Sequence, residues 1–423
     1  SQQENNLHYR NFAAPNLQPT LNKIRQLPLV QLLANGSYRD LVGSNFTNMM
    51  GVELRIMAQS WLILELGASQ IWVGAATGLR VVPALAIGLF AGVMVDRLGG
   101  RSVLLFERLL LLLLAVVTAA VVVAGVVNLW QIVVLSIVSS AVLAVGMPAG
   151  QALVMNYLPK ESLQAGNSLN MAGASLARAI GPLAGGFLIA GFGMGSPFLA
   201  LIGLYAVSVY FTYRLPRSEP SKPSGTSALR EISDGLKYIR SNPVLLRVMF
   251  IAFSVILSAA MVPIIPVYAR DRFDVGETGF GIMLTAWAVG QGASALWIAS
   301  KKPWERKTPP ILFSTILFVV ADITFALSTN FPLTLVSLAL VGAAIPVWAS
   351  STITLLQTQS DPKMIGRVMS VFTLSLQSMM FGWFLGAWIG TIIGNAQMII
   401  IGTLIYLVVN FGLILSSKDL RRL

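Results

Sequence analysis

Twelve apolar stretches, each about 20 residues or longer, follow one another along this chain. They lie near 39–66, 71–95, 103–127, 129–153, 167–191, 196–215, 245–269, 278–300, 309–329, 331–356, 367–391 and 395–416. About 20 helical residues cross the ~30 Å apolar layer of a bilayer, and the run from Leu109 to Val123, dominated by Leu and Val, has the composition of a lipid-facing span. Hydrophobic residues make up 55% of the chain and charged residues 11%, against roughly 25% charged in a soluble protein. Inside a bilayer a helix satisfies its own backbone polar groups. The chain therefore reads as an all-α, multi-pass membrane protein.

The same residues exclude much chemistry. There is no cysteine, hence no thiolate metal site, iron–sulfur cluster, disulfide or thiol nucleophile. The single histidine, His8, lies in a polar N-terminal tail, which rules out a His-rich metal site or a Ser-His triad within the membrane. A proton carrier inside the membrane must then be a carboxylate. No Walker lysine motif is present, so ATP does not drive this chain by itself. Neither an enzyme activity, a cofactor nor a metal is expected.

The spans divide six and six. Residues 1–37 form a polar cytoplasmic tail without the apolar core of a signal peptide, and 38–215 hold the first six spans. Residues 216–244 are a basic linker, in which Leu229, Ile232, Leu236 and Ile239 recur at helical spacing beside Arg230, Lys237 and Arg240. That spacing predicts an amphipathic helix on the membrane surface. Residues 245–416 hold the second six spans, and 417–423 a cytoplasmic C-terminus. With both termini inside, 24 of the 29 Lys and Arg fall in inner segments, two (Arg270 and Arg272) in outer loops, and three (Arg55, Arg80 and Arg178) within spans. This bias is the positive-inside signal. It accounts for the net charge of +12 as topology and attraction to anionic lipid, not as a nucleic-acid footprint. An internal repeat supports two equivalent halves: Gly166-Asn167-Ser168 corresponds to Gly366-Arg367-Val368, Gly186 to Gly386, and Pro148 to Pro346.

Two motifs narrow the reading. After span 2 the chain runs Gly92-Val93-Met94-Val95-Asp96-Arg97-Leu98-Gly99-Gly100-Arg101. The glycines permit close approach and a tight turn, and the arginines stay at the cytoplasmic surface. Span 5 carries Gly181-Pro182-Leu183-Ala184-Gly185-Gly186: a proline that bends the helix among glycines that admit a neighbour. The first resembles the inner-loop motif of the major facilitator superfamily, with Gly100 in place of a basic residue. The second resembles that superfamily's antiporter motif, with Ala177 in place of an upstream glycine. Together with Leu62–Ser69, Pro148–Leu153 and Gly366–Ser370, these segments are similar to the branch of enterobactin exporters and macrolide-efflux-type drug:proton antiporters. The resemblance implies twelve transmembrane helices in two pseudosymmetric six-helix bundles. It also implies a cytoplasmic gate formed by Gly92, Asp96, Arg97, Gly99 and Arg101 with Arg367 at the start of span 11. Span 4 lacks the arginine that many proton antiporters of the superfamily carry there.

Charges within spans are costly and usually functional. Glu53 and Asp322 are the mid-span carboxylates and hence the proton-coupling candidates. On the family plan, spans 1, 4, 7 and 10 line the cavity, which favours Glu53 and gives Asp322 a supporting position. Glu53 and Arg55 are two apart and point to different sides, so Glu53 is expected to pair with Arg178 or Arg80. A permanent ion pair that sets helix register is the alternative role. Trp287, Trp348, Trp383 and Trp388 lie well inside spans, where they either line a substrate cavity or pack between helices. The expected function is proton-coupled export of amphipathic small molecules (drug, macrolide or siderophore) by a monomer in the inner membrane, in contact with membrane lipids. A lipid-type flippase or facilitator of the same fold and a non-transporting scaffold subunit of a membrane complex remain alternatives.

Overall fold

A computed structural model of the chain describes residues 32–159, 162–217, 228–301 and 304–422. The expected tail over 1–31, the linker over 218–227, and Lys160, Lys222 and Lys302 lie outside the described residues. Every regular element described is helical. The N-terminal half contains α1 (Gly36–Glu65), α2 (Gln70–Gly78), α3 (Val81–Leu98), α4 (Gly100–Val123), α5 (Leu129–Tyr157), α6 (Leu163–Phe192) and α7 (Ser196–Arg214). The linker carries the amphipathic helix its spacing predicts, α8 (Ala228–Ser241). The C-terminal half contains α9 (Pro243–Phe253), an irregular helical segment over 255–272, α10 (Gly276–Ala299), α11 (Thr308–Leu327), α12 (Phe331–Thr358), α13 (Ile365–Ile393) and α14 (Asn395–Leu415).

Among the described residues, ten helical segments are long and apolar enough to cross a membrane. The first two expected spans are not among them. α1 is long enough at 30 residues but is polar, with Ser44, Asn45, Asn48, Glu53, Arg55 and Gln59 along its length. The second expected span is split into α2 and α3 at Leu79–Arg80. Pro83 explains the split: it has no N–H to give to Leu79, and its ring displaces the carbonyl four residues back. Pro263 and Pro266 act likewise within 255–272, which passes through 3₁₀ and π turns before ending at Arg272.

The long helices alternate in direction, so the molecule has two ends. A basic end gathers Arg97, Arg101, Arg214, Arg240, Lys301, Arg367 and Arg421. The far end holds the short turns at 66–69, 124–128, 193–195 and 273–275. Four buried apolar clusters hold the helices together. One lies in the far part of the N-terminal half, around Leu62, Leu111 and Tyr205, and one in its basic part, around Tyr38, Leu104 and Leu153. A third lies in the basic part of the C-terminal half, around Val248, Leu356 and Phe372. The fourth joins the halves: Met57, Trp61 and Ile189 pack with Ile265, Phe280 and Met283 at the far end, where Trp61 stacks on Phe280 at 5.9 Å between centroids.

Candidate functional site

Glu53 lies near the middle of α1 and Arg178 near the middle of α6. Arg178 Nε stands 3.7 Å from Glu53 Oε1, with the two side chains 44% and 19% exposed. This is an ion pair beyond hydrogen-bonding distance, reachable from outside the core. Arg80, the other expected partner, is buried at the break between α2 and α3, within electrostatic reach of Glu53 and Arg55. Its carbonyl accepts from Ser140 Oγ of α5 at 3.1 Å. Arg55 is buried on α1, within reach of Tyr205 of α7.

The span-5 motif brings three helices together at this level. A Cβ at Gly181 would stand 2.8 Å from Glu53 Cβ, and one at Gly185 would stand 2.9 Å from Leu54 Cδ1 and Met57 Sδ. These two glycines let α6 lie on α1 beside the carboxylate. Gly186 faces the other half, where an added Cβ would be 2.7 Å from the Glu277 carbonyl oxygen of α10. Gly281 returns the contact, 2.6 Å from the Pro182 carbonyl oxygen by the same measure. One turn further, Thr285 Oγ1 donates to the Ala179 carbonyl at 2.8 Å. Residues 186, 182 and 179 thus oppose 277, 281 and 285, an antiparallel register across the seam between the halves. Beyond Arg178 toward the basic end, Met171 on α6 is 72% exposed, and Val289 and Leu296 on α10 are 55% and 73% exposed. The close contacts across the seam thus run from Gly186 to Ala179 and reach the level of the Glu53–Arg178 pair.

At the basic end, Gly99 has φ +79°, which an L side chain disfavours, and it joins α3 to α4. Gly92 lies within α3 and Arg97 on its exposed last turn. Arg101 ties α4 to α7, donating to the Tyr213 carbonyl at 2.7 Å and lying 5.7 Å from the Tyr213 ring centroid. Arg367 departs from expectation. Its ion-pair partner is Asp234 of α8, at 3.6 Å, and Asp96 forms no ion pair among the described residues. The linker helix reaches Arg367 because Gly235 seats against the Arg367 carbonyl, which a Cβ would approach to 2.7 Å.

The four tryptophans separate. Trp348 is buried in the basic-end core of the C-terminal half. Trp388 is 49% exposed, on an apolar stripe with Phe381, Leu385 and Ile392, a surface suited to lipid and not to a cavity wall. The Trp383 backbone meets Gly74 of α2, and the Trp287 backbone meets Gly342 of α12. Asp322 is fully buried on α11, and one carboxylate oxygen accepts from Thr403 of α14. It joins α11 to α14.

Sequence reasoning passed over Glu107 and counted Arg108 with the basic loop. Both are buried in α4 and pair with each other. Arg108 continues to Asn45 Oδ1 at 3.2 Å, Asn45 to Asn170 Oδ1 at 3.3 Å, and Tyr38 closes the chain on the Gly166 carbonyl at 2.6 Å. Gly146 leaves the space that the Glu107 carboxyl fills. The available signal was Gly99-Gly100: a helix that starts there puts residues 107 and 108 two turns deep.

Residues 41–387 match the sequence profile of the Major Facilitator Superfamily. The multidrug efflux pump Tap of Mycolicibacterium fortuitum is 28% identical over 76% of this chain and 81% of its own length. An enterobactin exporter, EntS, of Shigella boydii serotype 18 is 24% identical over 69% of this chain and 70% of its own. In fold, the chain is similar to a mutant form of the nucleoside transporter NupG, with a TM-score of 0.70 at 14% identity over 90% of this chain and 100% of that one. A bacterial homologue of the lysosomal transporter Spinster aligns with a TM-score of 0.66 at 12% identity, over 91% and 98% of the two chains. The helical architecture, the glycine-lined seam and a profile match over most of its length establish that this chain is a multi-pass membrane transporter of the major facilitator superfamily.

Proposed function

We propose that the protein is a proton-coupled exporter of amphipathic small molecules, working by alternating access. In this reading α1 and the α2–α3 pair are spans, which with the ten apolar segments make twelve, and the basic end is cytoplasmic in the inner membrane. The observation that carries the proposal is the partly exposed Glu53–Arg178 pair, located beside the close contact between the two halves. A charge here belongs to the N-terminal half but borders the surface that must part and close. Protonation of Glu53 removes its attraction for Arg178 and alters the charge at the head of the seam, so proton binding is linked to the state of the seam. Efflux-pump and exporter relatives support the outward direction.

The test is transport in proteoliposomes with an imposed pH gradient, using lipophilic cations, macrolides and a catecholate siderophore as substrates. Glu53→Gln keeps the side-chain volume and removes the charge. It is expected to abolish gradient-driven efflux while substrate binding and yield persist. Full gradient-driven efflux by Glu53→Gln removes Glu53 from the mechanism. Counterflow without any pH dependence in the native protein favours a facilitator.

A further inference from the structure

We infer that α2 is a separately hinged gate at the far end, latched shut by a reciprocal amide pair between Gln70 and Asn395. Gln70 opens α2 in the N-terminal half, and Asn395 opens α14 in the C-terminal half. Gln70 Nε2 donates to Asn395 Oδ1 at 2.6 Å, and Asn395 Nδ2 returns a bond to Gln70 Oε1 at 2.8 Å. The Gln70 amide also donates to the Ala387 carbonyl of α13 at 3.0 Å. Gly390 makes the room: a Cβ there would lie 2.6 Å from Asn395 Oδ1 and 3.0 Å from Gln70 Nε2.

Two further features make α2 a moving part. It is cut from α3 at Leu79–Arg80, so it can tilt without carrying α3. It also lies directly on the other half, since a Cβ at Gly78 would be 2.5 Å from the Met380 carbonyl oxygen and one at Gly74 2.6 Å from Ala387 Cβ. Two amides suit a latch that must open repeatedly. Each bond is stronger inside the protein than in water, yet both groups rehydrate when exposed, so the net contribution of each is modest.

This inference rests on the alternating-access reading, but its test needs neither substrate nor a proton gradient. The chain has no cysteine, so Ala387→Cys supplies a single thiol at the α2–α13 contact. Its labelling by a membrane-impermeant maleimide added from the far side reports opening there. Gln70→Ala and Asn395→Ala, each in the Ala387→Cys background, lose three and two hydrogen bonds and are expected to label about tenfold faster or more. The swapped pair Gln70→Asn with Asn395→Gln is expected to return the rate toward that of Ala387→Cys alone. If alanine variants fold poorly, the isosteric Gln70→Met serves in their place. Rates within about twofold of the reporter alone, in variants that purify as a single species, overturn the latch. Failure of efflux in the experiment on Glu53 leaves this result untouched.

Discussion

Gly281→Ala tests whether the far-end seam is a two-state contact. The added methyl would sit 2.6 Å from the Pro182 carbonyl oxygen, 3.3 Å from the Pro182 carbonyl carbon and 3.4 Å from Leu183 Cα. All three are backbone atoms, so no side chain can rotate away. Restoring an ordinary contact of about 3.4 Å requires α6 and α10 to part by about 0.8 Å. Overpacking of this kind costs about 1–3 kcal/mol. The cost falls on molecules with a closed far end, because opening separates these helices. The ratio of closed to open molecules should therefore fall by roughly 5- to 150-fold. Spin labels at Phe192→Cys and Asp274→Cys, in a chain with no cysteine of its own, flank the seam at exposed positions. Pulsed dipolar spectroscopy should show a longer distance gaining population in Gly281→Ala. Gly292→Ala is the control, since an added Cβ there meets nothing within 4 Å. An unchanged distance distribution in well-folded Gly281→Ala refutes the reasoning.

Other perturbations follow from the same geometry. Arg108→Ala leaves the Glu107 charge buried without its partner, a loss of about 3–5 kcal/mol that should appear as early unfolding in detergent; Glu107→Gln should cost less. Asp322→Asn keeps an acceptor for Thr403 and should stay within about 1 kcal/mol of the native protein, with efflux retained, whereas lost efflux at normal stability would give Asp322 a part in coupling. The Asp234–Arg367 pair is about one-third exposed on each side, so Arg367→Ala should cost under about 1 kcal/mol. Gly235→Leu, in contrast, should dislodge α8 and render it cleavable by protease.

The helical architecture was legible because its cause is local. A run of about 20 apolar residues needs no distant partner to become a membrane helix, and the ends of most helices fall close to the ends of those runs. The helix α1 coincides with the stretch at 39–66, but it is more polar than the ten apolar segments and the hydropathy reading overstated it. The break at Leu79–Arg80 was missed: Pro83 was in plain view, but an apolar run gives no sign that a proline within it divides the helix. Charges were harder still. Hydropathy puts Glu53 and Arg178 inside spans, and opposite charge suggests a pair, but only packing chose Arg178 over Arg80. The same limit explains Arg367, whose partner lies on a linker helix that no family pattern ties to it.

Composition, hydropathy and charge bias by themselves determined an all-helical, multi-pass membrane protein with its basic residues gathered at one end, and the two glycine motifs supplied the resemblance to a transporter family. Those properties depend on each segment's own transfer from water to lipid and on charge counted along the chain. The tertiary structure alone decided which glycines face the other half, which carbonyls they meet, and where Gln70 finds Asn395, 325 residues away. These are contacts between distant segments. They depend on helix rotation and separation at the scale of a single methyl group, which a hydrophobic pattern does not encode.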